Sequence, residues 1–327
     1  MHVSQPVSPR PSNVLSMNAT NPATLLEFQD RFGSETACEE FLFRWRWPEG
    51  FRCPRCGCQQ ATRLSTRRQY QCHDCRHQTS VTAGTALHKT KLPLRVWFWG
   101  IFLVARHKKS ISALQLMADL GLGSYRTAWL LLHKIRACFD ESRDYPLLGL
   151  VEVDEAYVGG SEKGVMAGRA ASKKGIVVTG VEVKPSGRLG SARMKVIPDV
   201  KGESLVPFVV ENVDPDATVA TDGWAGFNEI EQLGYRRERH VSKGPRNAPF
   251  HPVLDGVHLM ISNLKTWLRG RFHGVSRKYL PAYVGEFLYR FNRRRSPPDL
   301  FGWVTRRLMT RNSVTLRGLQ ATADVCA

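Results

Sequence analysis

Acidic residues are scarce in this sequence, and long apolar runs are missing. Asp and Glu total 29 against 47 Lys and Arg in 327 residues, giving a formal net charge of +18 and a sequence pI near 9.9. So basic a chain is repelled by cationic partners and selects a polyanion, with nucleic acid first and an anionic membrane surface second. The longest apolar run, Val96 to Ala105 (VWFWGIFLVA), is about half the ~20 residues of a membrane-spanning helix, so no spanning segment is expected. The opening stretch, MHVSQPVSPRPSNVLSMNATNP, is polar and rich in Pro and Ser without an apolar centre, which argues against a secretory signal. A cytoplasmic, nucleoid-associated protein is expected. Hydrophobic residues still make up 42%, enough for a sizeable core, and the length suits two domains with a small third module.

Eight cysteines in a chain without an export signal do not read as disulfides. Four of them form a pattern. Cys53 and Cys56 make one C-x-x-C pair, Cys72 and Cys75 the other, in FRCPRCGCQQATRLSTRRQYQCHDCRH. Two such turns can converge four thiolates on one tetrahedral Zn²⁺, and the alternating ATRLSTRRQYQC between them predicts a strand hairpin, hence a zinc ribbon. Cys38, Cys58, Cys138 and Cys326 fall outside the pattern and are read as spectators. Arg52, Arg55, Arg63, Arg67, Arg68 and Arg76 decorate the module, as phosphate contacts or as a solvated face.

Helical spacing precedes the ribbon and follows it. Three helices are expected at about Leu94–Ala105, Ser112–Leu120 and Ser124–Cys138. The short GLGS between the last two suits a helix-turn-helix whose final helix enters the major groove, or else a plain helical linker. From Pro146 the pattern turns to strands: LGLVEVDEAYVGG, GIVVTGVEVK and LGSARMKVIPDV, then a helix in GESLVPFVVENV, then a strand in DATVATDGWAGF. Three hairpin-connected strands, a helix and a further strand predict an α/β domain with a mixed sheet. The intervening SEKGVMAGRAASKKG reads as a mobile basic loop.

Two acids end strands in this domain. Asp154 closes the first and Asp222 the fourth. Paired carboxylates there offer the oxygen ligands that Mg²⁺ or Mn²⁺ prefers, and two such ions can run phosphoryl transfer. Asp222 can equally begin an Asp-Gly turn that caps the helix from Trp224. Glu155, next to Asp154, points to the opposite face if the strand continues. A helix starting near Asp255 carries His258 and Lys265 seven residues apart, hence on one face.

With CPRCG…YQCHDC, HKTKLPLRVWFWGIFLVA, VEVDEAYVGG, VATDGWAGF and NLKTWLRGRFHGVSRKYL…EFLYRFNRR in place, the chain resembles the ISXO-like bacterial insertion-sequence transposases from about Phe28 to Arg295. Those enzymes carry an N-terminal zinc ribbon and a DDE-type, RNase H-like catalytic domain. The resemblance puts the family's first Asp on Asp154, its second on Asp222 and its final Lys on Lys265. The position usually held by Glu falls on His258, or on Asn263 in another register. It implies one structural Zn²⁺ held by Cys53, Cys56, Cys72 and Cys75, and two catalytic Mg²⁺ or Mn²⁺ held by Asp154, Asp222 and His258. The implied fold is multi-domain α+β and α/β. Residues 1–24 are a disordered tail, 25–85 a zinc-ribbon DNA-binding module and 86–145 a helical DNA-binding or linker module. Residues 146–295 are the RNase H-like mixed-sheet catalytic domain, and 296–327 a basic C-terminal tail.

The implied activity is hydrolysis and strand transfer at the terminal inverted repeats of a mobile element, by a homo-oligomer on element and target DNA, with no membrane involved. No nucleophilic Ser or Tyr motif asks for a covalent intermediate. The rivals are a non-catalytic zinc-ribbon DNA-binding regulator and a structure-specific nuclease on the same fold. The cluster in RFNRRRSPPDLFGWVTRRL is expected to touch DNA phosphates or another protomer, or to be a solvated face.

Overall fold

The structure is a computed structural model that describes residues 22, 24–64, 67–139, 145–159, 174–240, 254–294 and 299–311. Most of the expected N-terminal tail, the Gly/Lys-rich stretch 160–173, Arg295 and Cys326 lie outside the described residues.

Two helices come first among the described residues, α1 (Leu25–Phe32) and α2 (Glu35–Arg46). Thr24, placed in the tail by the sequence reading, is the N-cap of α1 and forms a reciprocal capping box with Glu27. The ribbon follows as an antiparallel sheet of β1 (Ala61–Leu64), β2 (Gln69–Cys72) and β3 (Gln78–Thr79). Next come α3 (Leu94–Arg106), α4 (Ala113–Asp119) and α5 (Tyr125–Arg136). Gly100 lets α3 and α5 cross closely, since a Cβ there would stand 2.6 Å from Leu131 Cδ2.

The second half is built on a five-stranded sheet: β4 (Leu150–Val158), β5 (Gly175–Val183), β6 (Leu189–Ile197), β7 (Thr218–Asp222) and β8 (Arg236–His240), in the order β6-β5-β4-β7-β8. The first three form an antiparallel meander, while β7 runs parallel to β4 and β8 parallel to β7. That is the RNase H-like arrangement. The intervening α6 (Gly202–Asn212) covers one face with Leu205, Phe208 and Val209, against Val151, Val153 and Val219. The other face is covered by α8 (Asp255–Phe272), whose Val257, Met260 and Ile261 meet Ala156, Val181 and Ala220. A short α7 (Glu229–Gln232) precedes β8, and α9 (Leu280–Asn292) and α10 (Leu300–Thr310) complete the helices of the described residues.

Three features depart from the sequence reading. β8, RRERH, is a strand that the sequence reading does not include; it is a parallel edge strand because its backbone completes the ladder of β7. The stretch 299–311, read as part of a basic tail, is α10, which inserts Phe301, Val304 and Leu308 into the first core. Phe301 lies 5.4 Å from Phe32 and 5.7 Å from Phe98 between ring centroids. Finally, α4 and α5 do adjoin across a Gly-containing turn, but α5 is buried at Ala128, Leu131, Leu132, His133, Ile135 and Arg136. Only its N-terminal turn, with Tyr125 and Arg126, is open to a groove.

Candidate active site and zinc centre

The four ribbon cysteines converge. Their sulfurs all lie within 4.8 Å of one another, with Cys53 3.6 Å from Cys75 and Cys56 3.5 Å from Cys72. A tetrahedron with Zn–S bonds of ~2.3 Å has edges of roughly 3.8 Å, so the cluster fits a structural zinc. Each turn closes on a residue in the left-handed region, Gly57 at φ 80° and Arg76 at φ 57°. The Cys75 backbone N–H, aimed at the Cys72 sulfur, is the main cause that brings its pKa down to about 6, which favours the thiolate a metal needs. The spectators differ: burial pushes Cys38 and Cys138 each up to about 12, and Cys58 Sγ faces the carbonyl of Gln60. Two of the six ribbon arginines are already engaged, Arg63 with Glu39 at 2.8 Å and Arg68 with Glu35 at 2.7 Å.

The second constellation grows out of β4. Strand alternation sends Val151 and Val153 toward α6, and Glu152, Asp154 and Ala156 toward α8. Glu152 is buried and accepts a 2.9 Å hydrogen bond from the Val257 backbone N–H in the first turn of α8, which fixes that helix against the strand. Asp154 therefore lies one step further along the same face. The parallel register Val153↔Thr221 then sets Asp222 beside it, at the C-terminal end of the neighbouring strand. Asp222 Oδ1 accepts from the Trp224 N–H at 2.9 Å, so it makes the Asp turn.

His258, on the first turns of α8, brings Nε2 to 3.2 Å from Asp154 Oδ2. Asp154 is mostly buried and His258 half-exposed. Asp222 stands back, since these three side chains do not draw together as closely as the four cysteines. Burial raises the Asp154 pKa above its ordinary value; a hydrogen bond from the Glu155 N–H and the proximity of His258 oppose this, and the Asp222 charge adds to it. A cleft of about 1020 Å³ opens here, walled by His258, Ser262, Lys265 and Arg269 of α8 and floored by Asp154–Gly159 of β4. Asn263 is exposed and does not line it. Glu155 lies on the strand face that carries Val153 and Tyr157, away from α8.

Sequence reasoning missed Arg237. Its guanidinium, on β8, donates to Thr221 Oγ1 at 2.8 Å, to the carbonyls of Asp222 and Trp224 at 3.1 Å each, and to Asn228 Oδ1 at 3.0 Å. It clamps the backbone on both sides of the Asp222 turn. Of the C-terminal cluster, expected to touch phosphate or another protomer or to be a solvated face, Arg293 stacks 4.0 Å over the Tyr289 ring, and the exposed Arg294 donates to the carbonyls of Leu189 and Gly190.

A mixed sheet of this order, with carboxylates ending its first and fourth strands and a cysteine-bound ribbon ahead of it, defines a zinc-ribbon protein with an RNase H-like domain. The family model for the ISXO2-like transposase domain matches residues 146–292, and that for the transposase zinc-ribbon domain matches residues 33–78. The chain belongs to the ISXO2-like transposases of insertion sequences.

A relative from Halobacterium salinarum, described as an uncharacterized protein in transposable element ISH50, is 26% identical over 275 residues, covering 79% of this chain and 91% of that protein. An uncharacterized transposase-like protein of Haemophilus influenzae is 26% identical over 99 residues, covering 30% of this chain and 77% of that one. Among solved structures, a simian T-cell lymphotropic virus intasome in complex with PP2A regulatory subunit B56 gamma matches 59% of this chain and 64% of that chain. Its identity is 15% and its TM-score 0.28. Among the described residues no helix is long and apolar enough to cross a membrane.

Proposed function

We propose that this protein is a DNA transposase that binds the terminal inverted repeats of its own element, hydrolyses a phosphodiester bond there and joins the freed 3′-OH to target DNA. The observation that carries the reading is the meeting of Asp154 and His258 at 3.2 Å, on a strand whose parallel neighbour ends at Asp222. Two carboxylates and an imidazole form a donor set for a divalent cation. The raised Asp154 pKa marks a buried negative site that such a cation would relieve.

Asp154, Asp222 and His258 would hold Mg²⁺ or Mn²⁺, in our reading two ions. When bound, the ions would supply Lewis-acid stabilisation of the attacking and leaving oxygens. The chain's own contribution is placement. Glu152 anchors α8 and with it His258; Arg237 anchors the turn of Asp222; Lys265 offers a cation to a phosphate in the cleft. The ribbon and helical module would carry end recognition as a homo-oligomer on DNA, in the nucleoid where the substrate is.

The test is a labelled element-end duplex with a target plasmid and Mg²⁺ or Mn²⁺. Asp154→Ala and Asp222→Ala should each abolish cleavage and joining while leaving end binding within about threefold. His258→Ala should be severely impaired, and His258→Glu should retain Mg²⁺-dependent activity. Imidazole suits the softer ion, so Mn²⁺ should serve the wild type at least as well as Mg²⁺. Asn263→Ala should be mild. Wild-type joining by Asp154→Ala would sink the assignment; Mg²⁺-indifferent binding without any cleavage would leave a DNA-binding regulator, and cutting without joining a nuclease.

A further inference from the structure

The cleft beside Asp154 holds more positive charge than the catalytic constellation uses. Lys265 and Arg269 follow His258 at seven and eleven residues along α8, so all three share one face of the helix. At 1.5 Å per residue, Lys265 lies about 10 Å and Arg269 about 16 Å from His258 along the axis. Lys174, just before β5, lines the same cleft from the sheet side, with its side chain laid against the exit of β4 at Gly159.

Among the described residues none of the three forms an ion pair within 4 Å. The Lys265 pKa is lowered, first by burial and then by Arg269 and Lys174, against the pull of Asp154. Three like charges therefore crowd a partly buried groove, and among the described residues no carboxylate pairs with them within 4 Å. A solvated face would spread such charges outward rather than gather them in a cleft that begins at the acids.

We propose that Lys174, Lys265 and Arg269 form a phosphate track that grips the DNA strand on one side of the scissile bond, running from Asp154 toward the end of α8. The inference rests on the transposase reading, which uses Lys265 alone, and extends it to Lys174 and Arg269. The separation of Lys265 from Arg269, about 6 Å along the helix, is roughly two axial phosphate steps of one strand, at about 3.4 Å per charge. The three cations are thus spaced to meet two or three phosphates of a single strand. The same crowding that costs the free protein is relieved when those phosphates arrive.

The experiment uses the full-length protein and element-end duplexes, each carrying one neutral methylphosphonate near the cut site, and reads Kd between 50 and 200 mM salt, so cleavage is not required. Wild type should lose at least fivefold in affinity when either of two neighbouring phosphates on one side of the scissile bond is neutralised. In Lys174→Gln/Arg269→Gln those two substitutions should cost less than twofold. The slope of log K against log salt should fall by roughly 1.4–1.8, the value for two phosphate contacts. Arg269→Lys should restore most of the difference. Unchanged zinc content and melting temperature establish that the variant is folded. Methylphosphonate penalties that persist in the double variant, or an unchanged salt slope, would overturn the track. Failure of the transposase reading shows elsewhere, as absence of metal-dependent cleavage by the wild type.

Discussion

His133 shows how much a single side chain's surroundings decide. It sits on α5 stacked 3.9 Å over Trp129 with Tyr279 and Tyr283 edge-on, and its Nε2 has no hydrogen-bond partner among the described residues. Burial, then the charge of Arg136, brings its pKa down to about 3. The imidazole is therefore neutral in the folded chain while the unfolded chain protonates near pH 6.5. The unfolded state binds the extra proton, so stability from this group is complete above about pH 6.5 and falls on acidification by about 1.4 kcal/mol per pH unit. His133→Phe should cut the loss of unfolding free energy between pH 7 and 5 by about 2 kcal/mol, measured by urea titration; an identical pH profile would refute the assignment.

At this same scale, legibility in the sequence follows chemistry that is local. Asp154 can be read because an apolar alternation runs straight into it. Arg237 cannot, because its partners are a hydroxyl and carbonyls brought together only by the β7–β8 pairing. His258 is legible only through family resemblance, since a lone helical histidine carries no spacing signal of its own.

At the scale of elements, what the sequence hides is which distant pieces share a core. Alternation and the spaced cysteines disclose the ribbon, the meander β4–β6 and α6, because those patterns report burial along one segment. Nothing local in DLFGWVTRRLM says that α10 belongs with α1 and α3, nearly the whole chain away. Its arginines mask a stripe of Phe301, Val304 and Leu308 at helical spacing. Phe301 is 3% exposed and touches the Phe28, Phe32, Phe41 and Phe98 rings. Phe301→Ala should cost about 3–5 kcal/mol of stability, the range for emptying a buried aromatic site. Urea unfolding followed by tryptophan fluorescence checks it. A change below about 1 kcal/mol would return α10 to the status of a surface tail.

Across the whole molecule, one buried ion cluster ties the helical module to the catalytic half. Glu286 of α9 is fully buried between Arg136 of α5, at 3.0 Å, and Arg290, at 2.9 Å. Burial acts to raise the Glu286 pKa, but the two guanidiniums outweigh it and hold the carboxyl below the ordinary range. The arginines are further bound by the carbonyls of Ile111 and Val104, on the module side. Removing the acid alone strands two cations in the interior, so Glu286→Ala should destabilise by about 3–5 kcal/mol. Replacing the trio together by Leu at 286 and Met at 136 and 290 should cost much less, because the desolvation of the charges vanishes with them. If that triple variant is as damaged as the single one, the cluster acts through shape and not charge.

The closure of the first core by α10 also sets an order of events during synthesis. Phe28 leaves the ribosome early, while its neighbour Phe301 comes only after the entire catalytic sheet. At roughly 5–20 residues per second the interval is about 15–55 s. For that time the aromatic face of α1, joined later by that of α3, waits without the helix that covers it. The ribbon module, translated before the sheet, is thus finished after it, and a chain cut short within the sheet keeps an open aromatic surface in place of a completed module.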